Sequence, residues 1–146
     1  MKLKENFFAR DSEQVARELI RKYLVRIIGG EIIYGEIIAT DAYREMGKRD
    51  SKSILYPPGK IYIYTLYGRP TLNISTEREG APSCVLIHDI RKDGKEFGPI
   101  KLTEALKIDK EFDGRSIAGE EVYIDDLIFE EVPSDIPTCV RRYRLK

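Results

Sequence analysis

The chain holds one histidine and two cysteines among 146 residues. A single histidine cannot furnish a zinc constellation, so metal-assisted hydrolysis is not expected. Cys84 and Cys139 stand far apart and outside any metal-ligand spacing, and a secreted disulfide scaffold carries more cysteine, so a reducing cytosol fits. No run of eighteen apolar residues occurs, and residues 1–8 carry charges where a signal peptide has an apolar stretch. The chain is therefore expected neither to span a membrane nor to be exported. No glycine-rich stretch with lysine and serine or threonine reads as a phosphate loop. Nor does a Ser, His and acid set suggest itself with its nucleophile on a sharp turn. Low-complexity tracts and repeats of 20–50 residues are missing too. What remains is one compact domain over 1–146, a length that buries about two-thirds of the unfolded surface.

Net charge is also lacking, at zero, which argues against a partner as anionic as DNA until the charges are mapped. Residues 1–76 hold 13 basic and 9 acidic side chains, whereas residues 77–146 hold 12 and 16. Arg141, Arg142, Arg144 and Lys146 face no acid in the last eight residues. One basic surface built from the first half and the tail is an option beside an ordinary mixed surface.

Asp11, then Val15, Leu19, Ile20 and Tyr23 at helical spacing, predict a helix over 12–23 with Gln14 as a weak capping box. Residues 24–28 and 31–38 are rich in isoleucine and predict two strands joined by Gly29 and Gly30. Residues 44–56 are polar and closed by Pro57, Pro58 and Gly59, the composition of a surface loop. From Lys60 strict alternation begins, Ile61 and Ile63 on one face, Tyr62 and Tyr64 on the other. A turn over 68–70 follows, then strands over 71–75 and 84–90, a short helix after Gly98 and Pro99, and strand candidates over 122–129 and 139–145. Strands follow strands with few helices, so the expected fold is α+β, a curved antiparallel, open-barrel-like sheet flanked by a few helices.

Chemistry concentrates where Asp41 ends an apolar strand two residues before Tyr43, ahead of Tyr62, Tyr64 and Tyr67. Aromatic faces with one acid suit a base-stacking pocket, although strand tyrosines are ordinarily half-buried packing and an acid at a strand end is ordinarily a turn or cap residue. The pieces that carry a resemblance are Gly35 through Thr40, Asp41, Ala42 and Tyr43; Pro58 and Gly59 with Tyr62, Tyr64, Tyr67, Gly68 and Asn73; Val85 to Ile87; and Gly98, Pro99, Lys101, Leu102, Ala105, Leu106 and Ile108 with Phe112 and Asp113. Four such pieces in order, spanning nearly the whole chain, resemble the alkyladenine (3-methyladenine) DNA glycosylases of the mammalian type.

That resemblance implies an enzyme that acts on double-stranded DNA containing alkylated purines, as a monomer, in the cytoplasm or on a prokaryotic nucleoid, without metal or cofactor. It implies that Tyr43 and Tyr64 stack on the two sides of an extruded base and that Tyr67 enters the duplex in its place. Asn73 would discriminate against the exocyclic amine of guanine, and Asp41 would orient and deprotonate the attacking water. A stacked base is unreachable, and flipping costs a few kilocalories per mole, least for a damaged base.

Three positions depart from the family's pattern. Asp41 replaces the usual glutamate, which withdraws the carboxylate by about 1 Å, a displacement that can cost about a hundredfold in rate. The segment 44–56 is shorter and lacks the family's pocket histidine. His88 stands in the base pocket where an arginine is usual. A compensating backbone, a slow enzyme restricted to the most labile lesions, or a catalytically silent relative that binds damaged or distorted DNA would each follow. The silent relative is the reading from another class, and a domain that holds a small planar ligand or an RNA in the same cleft is the third.

Overall fold

The computed structural model describes residues 1–43 and 56–126, together with the backbone of 129–131 and 143–145. A 3-10 turn, Glu5–Phe8, precedes the helix α1, Ser12–Leu19. Asp11 caps α1, its side chain accepting from the Gln14 amide at 3.3 Å, so one of the unpaired amides of the first turn is satisfied. Val15, Ala16 and Leu19 form the buried stripe. The apolar pattern predicts helix to residue 23, but the chain leaves it after Leu19. The Arg21 amide donates to the Ile37 carbonyl at 2.8 Å, and the Ile37 amide to the Lys22 carbonyl at 2.7 Å. Pairing with a distant strand thus displaces the last helical turn, and Tyr23 begins β1, Tyr23–Ile28.

The strand β2, Glu31–Tyr43, returns antiparallel to β1 through the expected turn. It runs past residue 38 because Thr40 to Tyr43 pair with β5, Cys84–Lys92. Between them in sequence lie β3, Ile61–Leu66, and β4, Arg69–Ser75. After β5 come β6, Lys95–Phe97, then α2, Pro99–Ala105, a 3-10 turn at Lys110–Phe112, and β7, Val122–Asp125. All pairings are antiparallel, in the order β3-β4-β5-β2-β1-β7 with β6 on β5. This strongly curled half-barrel with two helices is the expected α+β architecture. The backbones of β8, Phe129–Glu131, and β9, Tyr143–Leu145, pair separately. Of the loop expected over 44–56, residues 44–55 lie outside the described residues, as do the basic side chains of the tail.

Alternation gives the sheet two unlike faces. Ile61 and Ile63, Leu72 and Ile74, and Val85 and Ile87 project to one side, where they are buried with Val15 and Leu19 of α1 and Leu102 of α2. Fully burying one such side chain contributes about 1.5–3 kcal/mol, so this face holds the helices to the sheet. Thr103 on α2 adds a directional tie, its hydroxyl donating to the Pro70 carbonyl at 2.9 Å.

The entry to β3 is fixed at Gly59. Its amide donates to the Ser75 carbonyl and its carbonyl accepts from the Ile117 amide, both at 2.9 Å. Lys60 then binds the Glu5 carboxylate at 2.7 Å. That hydrogen bond, with one from Ser116, holds the Glu5 carboxyl below its ordinary value of 4.5.

Candidate active site

Register sets four side chains in one row across the sheet. Tyr62 on β3 faces Asn73 on β4, Asn73 faces Leu86 on β5, and Leu86 faces Asp41 on β2. Residues opposite one another in a ladder project to the same side. These four therefore stand together on the face away from the core, joined by Tyr43, Tyr64 and Thr71 two positions along their strands. The row and its neighbours line one cavity of about 180 Å³, completed by Leu66, His88 and Pro99. This is below the roughly 300 Å³ at which sites for drug-sized ligands begin, a volume suited to one small planar group.

Hydrogen bonds tie down the buried end of the cavity. Asn73 is 4% exposed; its amide nitrogen donates to Thr71 Oγ1 at 3.3 Å, and its carbonyl accepts from Cys84 Sγ at 3.9 Å. Thr71 is fixed in turn by donating to the Tyr64 carbonyl at 2.7 Å. The Tyr62 and Tyr64 rings lie 6.4 Å apart at 56°, and Tyr56 continues the series 6.2 Å from Tyr62. Tyr56 donates to one oxygen of Asp113, whose other oxygen takes the Ile63 amide at 2.7 Å, so the aromatic series is tied to the β3 backbone.

The open end carries the charge. The Asp41 and His88 side chains are 48% and 44% exposed, with His88 Nε2 3.9 Å from Asp41 Oδ2. His88 follows Leu86 by alternation, and Asp89 owes its place beside it to an irregularity. The ladder shifts register between Ile37 and Ala39 and again between Ala39 and Thr40. Ile87 and Ile90 are both fully buried in the core although three positions apart. Two consecutive residues, His88 and Asp89, consequently fall on the other face, as a bulge permits and regular alternation forbids. Their side chains meet, His88 Nδ1 to Asp89 Oδ1 at 2.5 Å.

Tyr67 stands apart from the cavity at the tip of the β3–β4 hairpin. The turn is Tyr67–Gly68, closed by Leu66 opposite Arg69, and not residues 68–70 as the proline suggests. A two-residue turn closes on a hydrogen-bonded pair, so Pro70 falls in the next, non-hydrogen-bonded pair. Pairing of β4 with β5 begins only at Asn73, and the missing amide of Pro70 costs no ladder bond. Tyr67 has φ 52° and Gly68 φ 75°, the left-handed pair of a type I′ turn that asparagine and glycine usually fill. A tyrosine there carries a backbone cost of about 1–2 kcal/mol, yet the residue is 89% exposed.

Asp41, Tyr43, Tyr64, Asn73 and His88, singled out in the sequence, thus line one cavity, and Tyr67 projects from the adjoining turn. Tyr62, Leu66, Thr71, Leu86 and Pro99 complete the lining. Tyr62 shares the parity of Tyr64 and was legible on that ground; Leu86 enters only through the register of β4, β5 and β2, which no local pattern encodes. Among the described residues no group of three His, Cys, Asp or Glu side chains converges as metal ligands, and no helix is long and apolar enough to cross a membrane.

A larger hollow, of about 550 Å³, lies between the β1–β2 and β5–β6 hairpin ends and is lined by Glu31, Tyr34, Arg91 and Asp93 among others. None of Asp41, Tyr43, Tyr64, Tyr67, Asn73 and His88 lines it.

Comparison with known proteins bears on the same stretch of chain. A family profile for methylpurine-DNA glycosylase matches residues 6–144. A protein of Anaeromyxobacter dehalogenans named "Putative 3-methyladenine DNA glycosylase" is 37% identical over 142 residues, covering 86% of this chain and 68% of its own length. A protein of the same name from Clostridioides difficile is 30% identical over 167 residues, covering 88% and 82%, and one from Legionella pneumophila is 33% identical over 140, covering 84% and 75%. With a profile that runs through every strand of the half-barrel and through both ends of the cavity, the chain belongs to the methylpurine-DNA glycosylase family.

Proposed function

We propose that this DNA glycosylase excises alkylated purines of the 3-methyladenine and 7-methylguanine type from duplex DNA by flipping the base and directing water at its N-glycosyl bond. The observation that carries the reading is the gathering of Asp41, Tyr43, Tyr64 and Asn73 around a cavity of about 180 Å³. Tyr43 and Tyr64 stack on the two sides of the extruded base. A cationic, electron-poor purine gains most from such rings and departs readily, so little leaving-group acid is needed. Asp41 orients water beneath the sugar, and its charge stabilises the oxocarbenium-like transition state. Asn73, its amide held by Thr71 and Cys84, disfavours the exocyclic amine of guanine. The enzyme acts as a monomer in the cytoplasm. The test is release of free base from methylated duplex DNA by the wild-type chain. Release of 3-methyladenine supports the proposal; lesion-dependent binding with the base still attached replaces it with a silent relative.

Tyr67 is the wedge that fills the vacated space in the stack. Stacking of a base on an aromatic ring is worth about 1–3 kcal/mol. Tyr67→Ala is expected to weaken binding to duplex DNA carrying an abasic-site analogue about tenfold by fluorescence anisotropy. A ring 89% exposed supports no packing, so thermal unfolding should stay within about 0.5 kcal/mol of wild type. Unchanged affinity removes the wedge.

A further inference from the structure

We infer that His88, held by Asp89, is the base that receives the proton of the attacking water, and that Asp89 is a positioning residue for this reaction. The inference deepens the role given to Asp41 above and rests on it. His88 Nδ1 meets Asp89 Oδ1 at 2.5 Å. An ionised carboxylate only accepts, so this contact keeps the proton on Nδ1 and leaves the lone pair of the neutral ring on Nε2. Nε2 in turn faces Asp41 Oδ2 across 3.9 Å. That gap is too long for a direct hydrogen bond and fits one bridging water.

A water bridging the two donates one hydrogen to Nε2 and the other to Asp41, which turns its lone pairs away from both acceptors and toward the sugar. As the C1′–N bond breaks, its electron pair leaves with the purine and neutralises the cationic ring. The water oxygen forms the C1′–O bond, one water proton passes to Nε2, and the other remains as the sugar hydroxyl. The imidazolium so formed lies between Asp41 from β2 and Asp89 from β5. Tyr43, Tyr62 and Tyr64 are the other titratable groups lining the cavity, and α2 contributes only Pro99. With the proton on His88, the Asp41 carboxylate opposes the positive charge on the sugar. The shorter arm of aspartate leaves the room in which this water sits.

The test uses the one histidine of the chain, whose ring nitrogens give unambiguous ¹⁵N signals. Wild type is expected to show the Nδ1–H tautomer, and Asp89→Asn, which can donate to Nδ1, to shift the ring toward Nε2–H. Single-turnover release of 3-methyladenine is expected to fall about a hundredfold in Asp89→Asn and in His88→Gln, with the double variant no slower than His88→Gln and affinity for abasic-site DNA unchanged. A tautomer indifferent to Asp89→Asn, or release by that variant within twofold of wild type, overturns the relay. A wild type that releases no base overturns the reading of Asp41 itself, and the relay with it.

Discussion

Asp41→Asn is expected to lower single-turnover release of 3-methyladenine by about a thousandfold while abasic-site DNA binds as tightly as before. The substitution keeps size and shape and removes one charge. An amide in that place still contacts water but neither draws its hydrogen with full charge nor opposes the positive sugar. Loss of a preorganised charge costs about 10²–10³ in rate, and Asp41 also orients the attacking water, whose misplacement costs about a hundredfold. The side chain is 48% exposed, so the fold should lose no more than about 0.5 kcal/mol. Equal release by wild type and Asp41→Asn would eliminate the assigned chemistry. Binding that collapses along with release would instead place the aspartate among the contacts that hold DNA.

Gly59→Ala is expected to cost about 3 kcal/mol. Two penalties coincide there. The backbone has φ +90°, where a Cβ is strained, and the added atom would lie 2.6 Å from Glu5 Cβ and 2.8 Å from Glu5 Cα. The second neighbour is main chain and cannot swing aside. Backbone strain of this kind costs about 1–3 kcal/mol, and overpacking a tight contact adds about 1–3 more. At this chain length about 3 kcal/mol lowers Tm by roughly 10 °C. Gly68→Ala separates the two penalties, since Gly68 has φ +75° with nothing within 4 Å, and only the strain of about 1 kcal/mol should register. Equal losses at the two positions by thermal or denaturant unfolding would mean that the contact with Glu5 yields. Because Gly59 sets the start of the strand that carries Tyr62 and Tyr64 and leads into the turn at Tyr67, activity of Gly59→Ala should fall further than its folded fraction.

What the sequence could disclose was what neighbours in the chain decide. Alternation from Ile61 to Tyr64 and the cap at Asp11 depend on local geometry, and both read correctly. The end of α1 did not, because Lys22 and Arg21 bond to Ile37, and a competition with a strand fifteen residues away leaves no local trace. The hairpin between β5 and β6 carried a signal that went unused: Asp93 and Gly94, with φ 52° and 75°, are the dipeptide that favours a type I′ turn. The cavity divides in the same way. Tyr43, Tyr64, Asn73 and Asp41 were legible as residue types that resemble a known family, whereas the meeting of His88 with Asp89 was hidden, since strict alternation sends consecutive strand residues to opposite sides.

The irregularity that brings those two together occurs on both partners at once. From Ile37 to Thr40 on β2, and from Ile90 to Ile87 on β5, the chain advances by three positions between paired residues, so the two frameshifts cancel and the ladder beyond them resumes in phase. Shortening one strand alone by a residue at this point would leave every hydrogen bond on its far side able to reform while turning that segment over. Thr40 and Ala42 would then look into the cavity and Asp41 into the oil beneath α1. Insertions and deletions here are thereby constrained to come in matched pairs, since a single one would abolish the chemistry and also bury an unpaired charge.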